Sequence, residues 1–361
     1  MIWVKRGALA LGGIILLLIL AFNVFQKQIA TALFERAVER NVGVDRSADL
    51  PDGIHVYICG SGAPMPDATR AGPCLAVLAG DKAFVFDVGS GGARNLGAMG
   101  FPMNRLDAVY LTHLHSDHID GLGELLLQSW INGIRKEPTP VRGPTGTNEV
   151  VTGFNMAYRL DSTYRLAHHG PEVADPIGYG GAAEEIIIPQ GPPGKRVVLE
   201  EDGVTVTAIR VGHAPIEPAF GYRIDYKGRS VSISGDTIYH PGFIAASDGG
   251  DLMLHEALSK HMVETIGAAL GDAGIENGRR IFHDILDYHT DPEEAAQAAQ
   301  EAGAGQLVLY HLVPQIPLRM IETVFLGDSR SIFDGKITIA EDGMIFSLPA
   351  ESDKIRLSNA L

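Results

Sequence analysis

Ten consecutive residues, Thr112-His-Leu-His-Ser-Asp-His-Ile-Asp-Gly121, carry three imidazoles and two carboxylates. Four of these groups are spaced His113-x-His115-x-Asp117-His118. At the end of a strand alternate side chains point to the same side, so His113 and His115 can grip one cation. Where the chain then turns away, Asp117 and His118 can reach a second cation beside the first. Imidazole combined with carboxylate suits zinc, and catalytic sites of this type keep a coordination position open for water. The bland alternative is a polar turn with surface histidines. Three His and one Asp at this spacing, directly behind the apolar run Asp107-Ala-Val-Tyr-Leu111, argue against it.

Such a turn needs buried strands to hold it. Short apolar runs rich in Val and Ile recur between Gly/Pro-rich turns, and they predict strands. One set is Ile54–Cys59, Cys74–Ala79, Ala83–Val88 and Ala108–Thr112. A second is Val204–Val211, Phe220–Tyr226, Ser230–Ser234, Leu252–His255 and Leu307–His311. Helices are predicted over Gly123–Trp130, Thr147–Tyr158 and Pro292–Ala302, the last with Pro at its start, acidic residues in its first turn and Gly303 as its stop. The stretch Arg165–Glu185, rich in Gly, Pro and Ala, reads as an ordered loop near the site or a lid. Two strand-rich halves with helices suggest an α/β protein of two sheets packed face to face with helices outside.

The N-terminus is of a different kind. Ala8 to Phe25 is an uncharged apolar run preceded by Lys5 and Arg6. It meets the minimum for a bilayer span, roughly 17–25 residues. No small-x-small cleavage site follows, so an uncleaved anchor over residues 1–25 is favoured over a signal peptide. Residues 26–51 read as an amphipathic helix and linker, and residues 52–361 as the main folded domain. The positive-inside rule places the N-terminus in the cytoplasm, and Lys27, Arg36 and Arg40 weaken that bias. The expectation is a single-pass protein of a bacterial inner membrane with its bulk in the periplasm. Cys59 and Cys74 are too few for a thiolate metal site. They read as buried thiols, with one disulfide open to them if the domain is extracytoplasmic and their strands are neighbours. A net charge of −15, from 44 acidic against 29 basic residues with no Lys/Arg cluster, counts against nucleic acid as a partner without excluding a local basic patch.

Further ligand types stand at other strand ends: His213 after Val211-Gly, Asp236 after Ser232-Ile-Ser-Gly, and His311 after Leu307-Val-Leu-Tyr. In this order the chain resembles the metallo-β-lactamase superfamily of dinuclear metallohydrolases. Within it, several strings resemble the branch of ribonuclease Z and the metallo-β-lactamase-type arylsulfatases. They are Cys59-Gly-Ser-Gly-Ala-Pro-Met-Pro66 before Arg70, Asp87-Val-Gly-Ser90, Gly221-Tyr-Arg-Ile224, His255-Glu-Ala257 and His289-Thr-Asp-Pro-Glu-Glu-Ala295. The resemblance covers roughly residues 54 to 347. It implies a four-layer αβ/βα sandwich of two mixed sheets. It also implies His113, His115 and His213 on one zinc, Asp117, His118 and His311 on a second, and Asp236 bridging both, with Mn²⁺ or Fe²⁺ as other fits. A homodimer sharing its active site is implied by resemblance alone.

Two zinc ions about 3.5–4 Å apart would share a hydroxide and polarise an ester. Asp117 would orient that hydroxide or take its proton. His289 is then implied as the acid for the leaving group, and Glu256 as its orienting partner or else a capping or surface carboxylate. Ribonuclease Z binds tRNA through a long arm between its counterparts of Gly221-Tyr-Arg-Ile224 and Gly235-Asp236. Here Tyr222 to Asp236 runs straight through as a hairpin turning at Lys227-Gly228, with no room for an arm. The loop around His168 and His169 resembles the arylsulfatase-like members. The expected substrate is therefore a small sulfate ester or phosphodiester, the alternative being ribonuclease Z-like 3′ processing of tRNA. A lactone is a third reading, and a membrane-tethered scaffold with a degenerate site is disfavoured because no ligand position is vacant.

Overall fold

The computed structural model describes residues 2–361, without the side chains of residues 2–5, 8–10, 17–18 and 41. The chain divides into two compact units, one ending at Ala48 and one spanning Asp49–Leu361. The first is a single helix, Ile2–Asn41. Its Leu11–Arg40 stretch is long and apolar enough to cross a membrane, judged by length and composition. The side chains of Lys5 and Ala8–Ala10, on which the expected orientation and span start rest, lie outside the described residues, as does Met1. Where the sequence suggests a change of structure after residue 25, the helix continues to Asn41. Residues 26–40 contain neither Gly nor Pro and are mostly good helix formers.

In the second unit fifteen strands form two sheets. The first sheet contains β1 (Gly53–Gly60), β2 (Cys74–Ala79), β3 (Lys82–Phe86), β4 (Leu106–Tyr110), β5 (Thr139–Gly143) and β6 (Gly181–Glu185). The second contains β7 (Lys195–Glu201), β8 (Val204–Val211), β9 (Ala219–Tyr226), β10 (Arg229–Ile233), β11 (Leu252–Leu258), β12 (Gln306–Val313) and β13 (Lys336–Ile339). Finally β14 (Met344–Pro349) and β15 (Arg356–Asn359) return to the first sheet. The orders are β15-β14-β1-β2-β3-β4-β5-β6 and β13-β12-β11-β10-β9-β8-β7, and both sheets mix parallel and antiparallel pairs.

Period-two alternation assigns each strand face to a layer. On β1, Ile54, Val56 and Ile58 join the core between the sheets, where they meet Phe220, Tyr222, Val231 and Val308. Tyr57 and Cys59 face the other way, into an outer core with Leu96, Leu122 and Leu125. On β12, Val308 and Tyr310 point inward while Leu307 and Leu309 pack outward with Ala295 and Ala299 of the helix Pro292–Glu301. The result is a four-layer sandwich, as expected.

Cys59 and Cys74 form a disulfide rather than buried thiols. The strand register explains why. Ile58 pairs with Leu75 and Gly60 with Cys74, so Cys59 is the extra residue of a bulge and lies beside Cys74. Closing a loop with a sequence separation of 15 stabilises the fold by about 3 kcal/mol in the chain-entropy account. Cys74→Ser, or reduction, should lower the thermal midpoint accordingly; an unchanged midpoint with dithiothreitol would show that the bond contributes nothing.

Arg165–Glu185 is mostly regular structure, not a loop or lid. The helix begun at Thr147 runs to His169, supported by an Asp161–Arg165 ion pair of 2.6 Å, and the segment ends in β6. Between β11 and His289 the chain also builds a helical hairpin, Lys260–Asp272 and Glu276–Asp284. The apolar strand runs do not announce it.

Candidate metal centre

The candidate residues gather where strands of both sheets end. His113 and His115 follow β4, and Asp117 and His118 form the first turn of the short helix Ser116–Ile119. His213 follows β8 and Asp236 follows β10. The sheets are joined here by two hydrogen bonds: the Phe220 backbone N–H donates to Thr112 O (2.8 Å), and the Tyr222 side-chain hydroxyl donates to Leu111 O (2.7 Å). Gly235, at φ +61°, turns the chain into Asp236 at a point where a Cβ would lie 2.6 Å from Phe220 O. Only glycine meets both demands.

His311 does not stand past the end of its strand. β12 continues to Val313, and His311 is the extra residue in a bulge, since Glu256 pairs with Tyr310 and Ala257 with Leu312. Its φ is +48°, unusual for a residue with a Cβ. The bulge re-aims the imidazole into the site.

The side chains form two donor clusters. His113 Nε2, His115 Nδ1 and His213 Nε2 approach one another, with His113 to His115 at 2.9 Å and His213 to His115 at 3.4 Å. Asp117 Oδ2 lies 3.5 Å from His118 Nε2 and 3.3 Å from His311 Nε2. Asp236 Oδ2 stands between the clusters, 3.8 Å and 3.9 Å from Nε2 of His113 and His213, and 3.4 Å and 3.2 Å from Nε2 of His118 and His311. All seven predicted ligands are therefore brought together. Both clusters are groupings of ligand type.

The surroundings fit a cation. Buried His118 Nε2 and Asp236 Oδ1 have no hydrogen-bond partner. Three imidazoles are held by their other nitrogen: His113 Nδ1 by Thr112 Oγ1 (3.0 Å), His118 Nδ1 by Asp87 Oδ2 (2.8 Å) and His213 Nδ1 by Tyr288 O (2.9 Å). Partners of this kind orient metal-binding histidines. Burial pushes His113 well below the usual imidazole range and His213 down to about 4, which keeps their lone pairs free. Burial disfavours charge on His118 too, but Asp236, Asp87 and Asp117 together outweigh it and raise its pKa well above the ordinary value. For Asp236 burial is likewise outweighed, by His311 and His118 first, and its pKa falls well below the carboxylate range.

Asp87 is the residue that sequence reasoning left out of the site. It follows β3 with φ +55°, accepts from Thr112 N (2.8 Å) and Thr112 Oγ1 (2.7 Å), and holds His118. Its signal lay in the Asp87-Val-Gly-Ser90 string, at the end of a strand that pairs in parallel with β4.

Glu256 is neither a cap nor a surface carboxylate. It lies fully buried on β11, and its Oε1 accepts from His289 Nδ1 (3.0 Å), Thr290 N (3.0 Å) and Thr237 N (3.3 Å). His289 is 7% exposed and borders the same cleft as His115, Asp117, Asp236 and His311. Burial lowers the His289 pKa, and burial followed by Asp236 raises that of Glu256. His168 and His169 end a helix and are not among the residues lining this cleft.

This fold and these donor clusters define a metal-dependent hydrolase. A family model described as the Beta-lactamase superfamily domain matches residues 92–312, and the chain belongs to that superfamily. Within it the chain is similar to the Ribonuclease Z of Mycobacterium avium (strain 104), 34% identical over 291 residues that cover 80% of this chain and 96% of that protein. It is also similar to the Ribonuclease Z of Mycobacterium sp. (strain KMS), 37% identical over 264 residues, 73% of this chain and 85% of the relative. Two solved structures share the fold at 23% identity. They are the metallo-beta-lactamase fold protein YhfI from Bacillus subtilis (TM-score 0.57, 81% of this chain and 99% of that one) and human tRNase Z, short form (TM-score 0.58, 82% and 99%).

Proposed function

We propose that this protein hydrolyses phosphodiesters by ribonuclease Z-type chemistry. The observation that carries the reading is Asp236 Oδ2, shared between two donor clusters at 3.2–3.9 Å from four imidazole nitrogens. His113, His115 and His213 would hold one metal ion, Asp117, His118 and His311 a second, and Asp236 both. Nitrogen and carboxylate donors fit zinc, and Mn²⁺ or Fe²⁺ accept the same set. Two such ions, when bound, would supply Lewis acidity to an attacking water and to the ester oxygens. Asp117, at the cleft, is placed to hold that water or accept its proton. His289, anchored on Glu256 through Nδ1, would protonate the departing oxygen as its imidazolium, and because burial lowers its pKa this step should weaken as the pH rises.

The names of the relatives support RNA as substrate and move the weight from sulfate esters to phosphodiesters. Two features favour a short or small diester over a folded tRNA. β9 and β10 are joined by a two-residue turn, with Tyr226 paired to Arg229, so no arm projects there. The chain also carries a net charge of −15. The deciding experiment sets precursor tRNA, bis(p-nitrophenyl) phosphate, p-nitrophenyl sulfate and a lactone side by side on the metal-loaded protein. Turnover of either diester bears out the reading, and their ratio separates RNA processing from small-diester hydrolysis. Turnover confined to sulfate or lactone would end it.

The apolar N-terminal helix and the Cys59–Cys74 bond together support a membrane-tethered enzyme whose hydrolase unit faces an oxidising compartment. Thiol alkylation in intact cells, with and without prior reduction, tests this: labelling without reduction would place the unit in a reducing compartment.

A further inference from the structure

Beside the donor clusters lies a cleft of about 290 Å³. One wall is the metal centre. The other is apolar, made by Met65, Ile281, Phe282, Ile285, Tyr288 and Val313. No Lys or Arg among the described residues lines it. Ile281 is 59% exposed, a large hydrophobic side chain left to water next to reacting groups. Phe282 and Ile285 come from the helical hairpin and the turn after it, and they pack on Leu258, Val263 and Val313 in a small cluster separate from the three main cores. The wall is therefore backed and held in place.

We infer that this wall seats a planar aromatic group attached to the scissile phosphodiester, which rests on the hydrolase reading above. A second phosphate would need a cationic partner, and the apolar wall supplies none. Its volume is at the low end of small-molecule pockets, roughly 300–1,000 Å³, enough for one ring system and too little for a nucleic-acid helix. The ring of Tyr288 lies 4.8 Å from that of His289 and 5.0 Å from that of His213, so an aromatic face adjoins the groups that handle the ester. The occupant is an aryl substituent or the nucleobase next to the cleaved bond. Recognition is then by contact with this group, consistent with a cleft that, among the described residues, no Lys or Arg lines.

The test uses the full-length protein in detergent, loaded with zinc, and phosphonates as probes because they bind without turning over. Phenylphosphonate should bind about tenfold more tightly than methylphosphonate, as burying one ring predicts. Ile281→Ala and Phe282→Ala should bring the two probes to within about twofold while leaving methylphosphonate affinity unchanged. Ile281 is exposed, so its variant is safe for folding even if Phe282→Ala is not. Equal binding of both probes by the unaltered protein, an unchanged ratio in Ile281→Ala, or tighter binding of octylphosphonate than phenylphosphonate would each overturn the inference. A lower KM for thymidine 5′-p-nitrophenyl phosphate than for bis(p-nitrophenyl) phosphate would identify the nucleobase as occupant, and the reverse the aryl group. If the phosphonate ratio holds while no phosphodiester is hydrolysed, the wall stands and the phosphodiesterase reading falls.

Discussion

Asp236→Ala should reduce the metal content of the purified protein from two ions per chain to one or fewer, and activity by roughly 10³-fold or more. The reason is geometric. One oxygen of this fully buried carboxylate stands within 3.9 Å of Nε2 of His113, His118, His213 and His311, so its loss removes a donor that stands between the two clusters. It also removes the negative charge that offsets several imidazoles. Asp236→Asn keeps the shape and one oxygen, and should retain more metal than the alanine variant. Elemental analysis reads the metal content directly. Chelator treatment of the unaltered protein should abolish turnover, and zinc or manganese should restore it. Two tightly held ions in Asp236→Ala, or full activity after exhaustive chelation, would show that the clusters do not share this residue.

His289→Ala is expected to lower kcat by roughly 10²–10⁴-fold, the usual contribution of a positioned general acid, with KM little changed. The size of the loss should depend on the leaving group. A ribose or alkyl oxygen leaves poorly as an anion and needs the proton. A p-nitrophenolate is stable as an anion near neutral pH and needs it far less. A large effect on RNA-like diesters with a small one on p-nitrophenyl esters would therefore mark proton donation, whereas equal effects on both would point to a structural role. Glu256→Gln should cost roughly 10–100-fold, in line with other residues that orient a functional imidazole. It keeps an oxygen for His289 Nδ1, Thr290 N and Thr237 N and replaces the other oxygen with an amide nitrogen. Its pattern across leaving groups should follow that of His289→Ala; a loss independent of the leaving group would separate the two residues.

Much of the site was legible because its ligands cluster in the chain or follow recognisable apolar runs. His113, His115, Asp117 and His118 sit within six residues behind β4, and His213 and Asp236 each follow a Val/Ile-rich run. The nine predicted strands all exist, with ends shifted by a few residues at most. β5, β6, β7, β13, β14 and β15 were not foreseen. Several of them are short or edge strands whose faces are partly exposed, such as Lys195–Glu201 and Arg356–Asn359, so their apolar pattern is weak. The extent of the helix Thr147–His169 was hidden because its later half exposes most of its side chains, Leu160 and Tyr164 among them.

The sequence alone determined the chemistry available: which residue types could hold metal, in what order, and that two layers of buried strands would carry them. Spacing along the chain encodes that much, because a strand of alternating faces followed by a polar turn has few ways to fold. Tertiary structure decided what depends on register between distant segments. It set Cys59 beside Cys74 through a bulge, turned His311 inward through another, placed Asp87 behind His118, and buried Glu256 against His289 from a residue 33 positions away. It also brought the hairpin wall of Ile281 and Phe282 to face the donors. A bulge or a long-range hydrogen bond leaves no periodic mark in sequence, because it depends on which strand lies alongside.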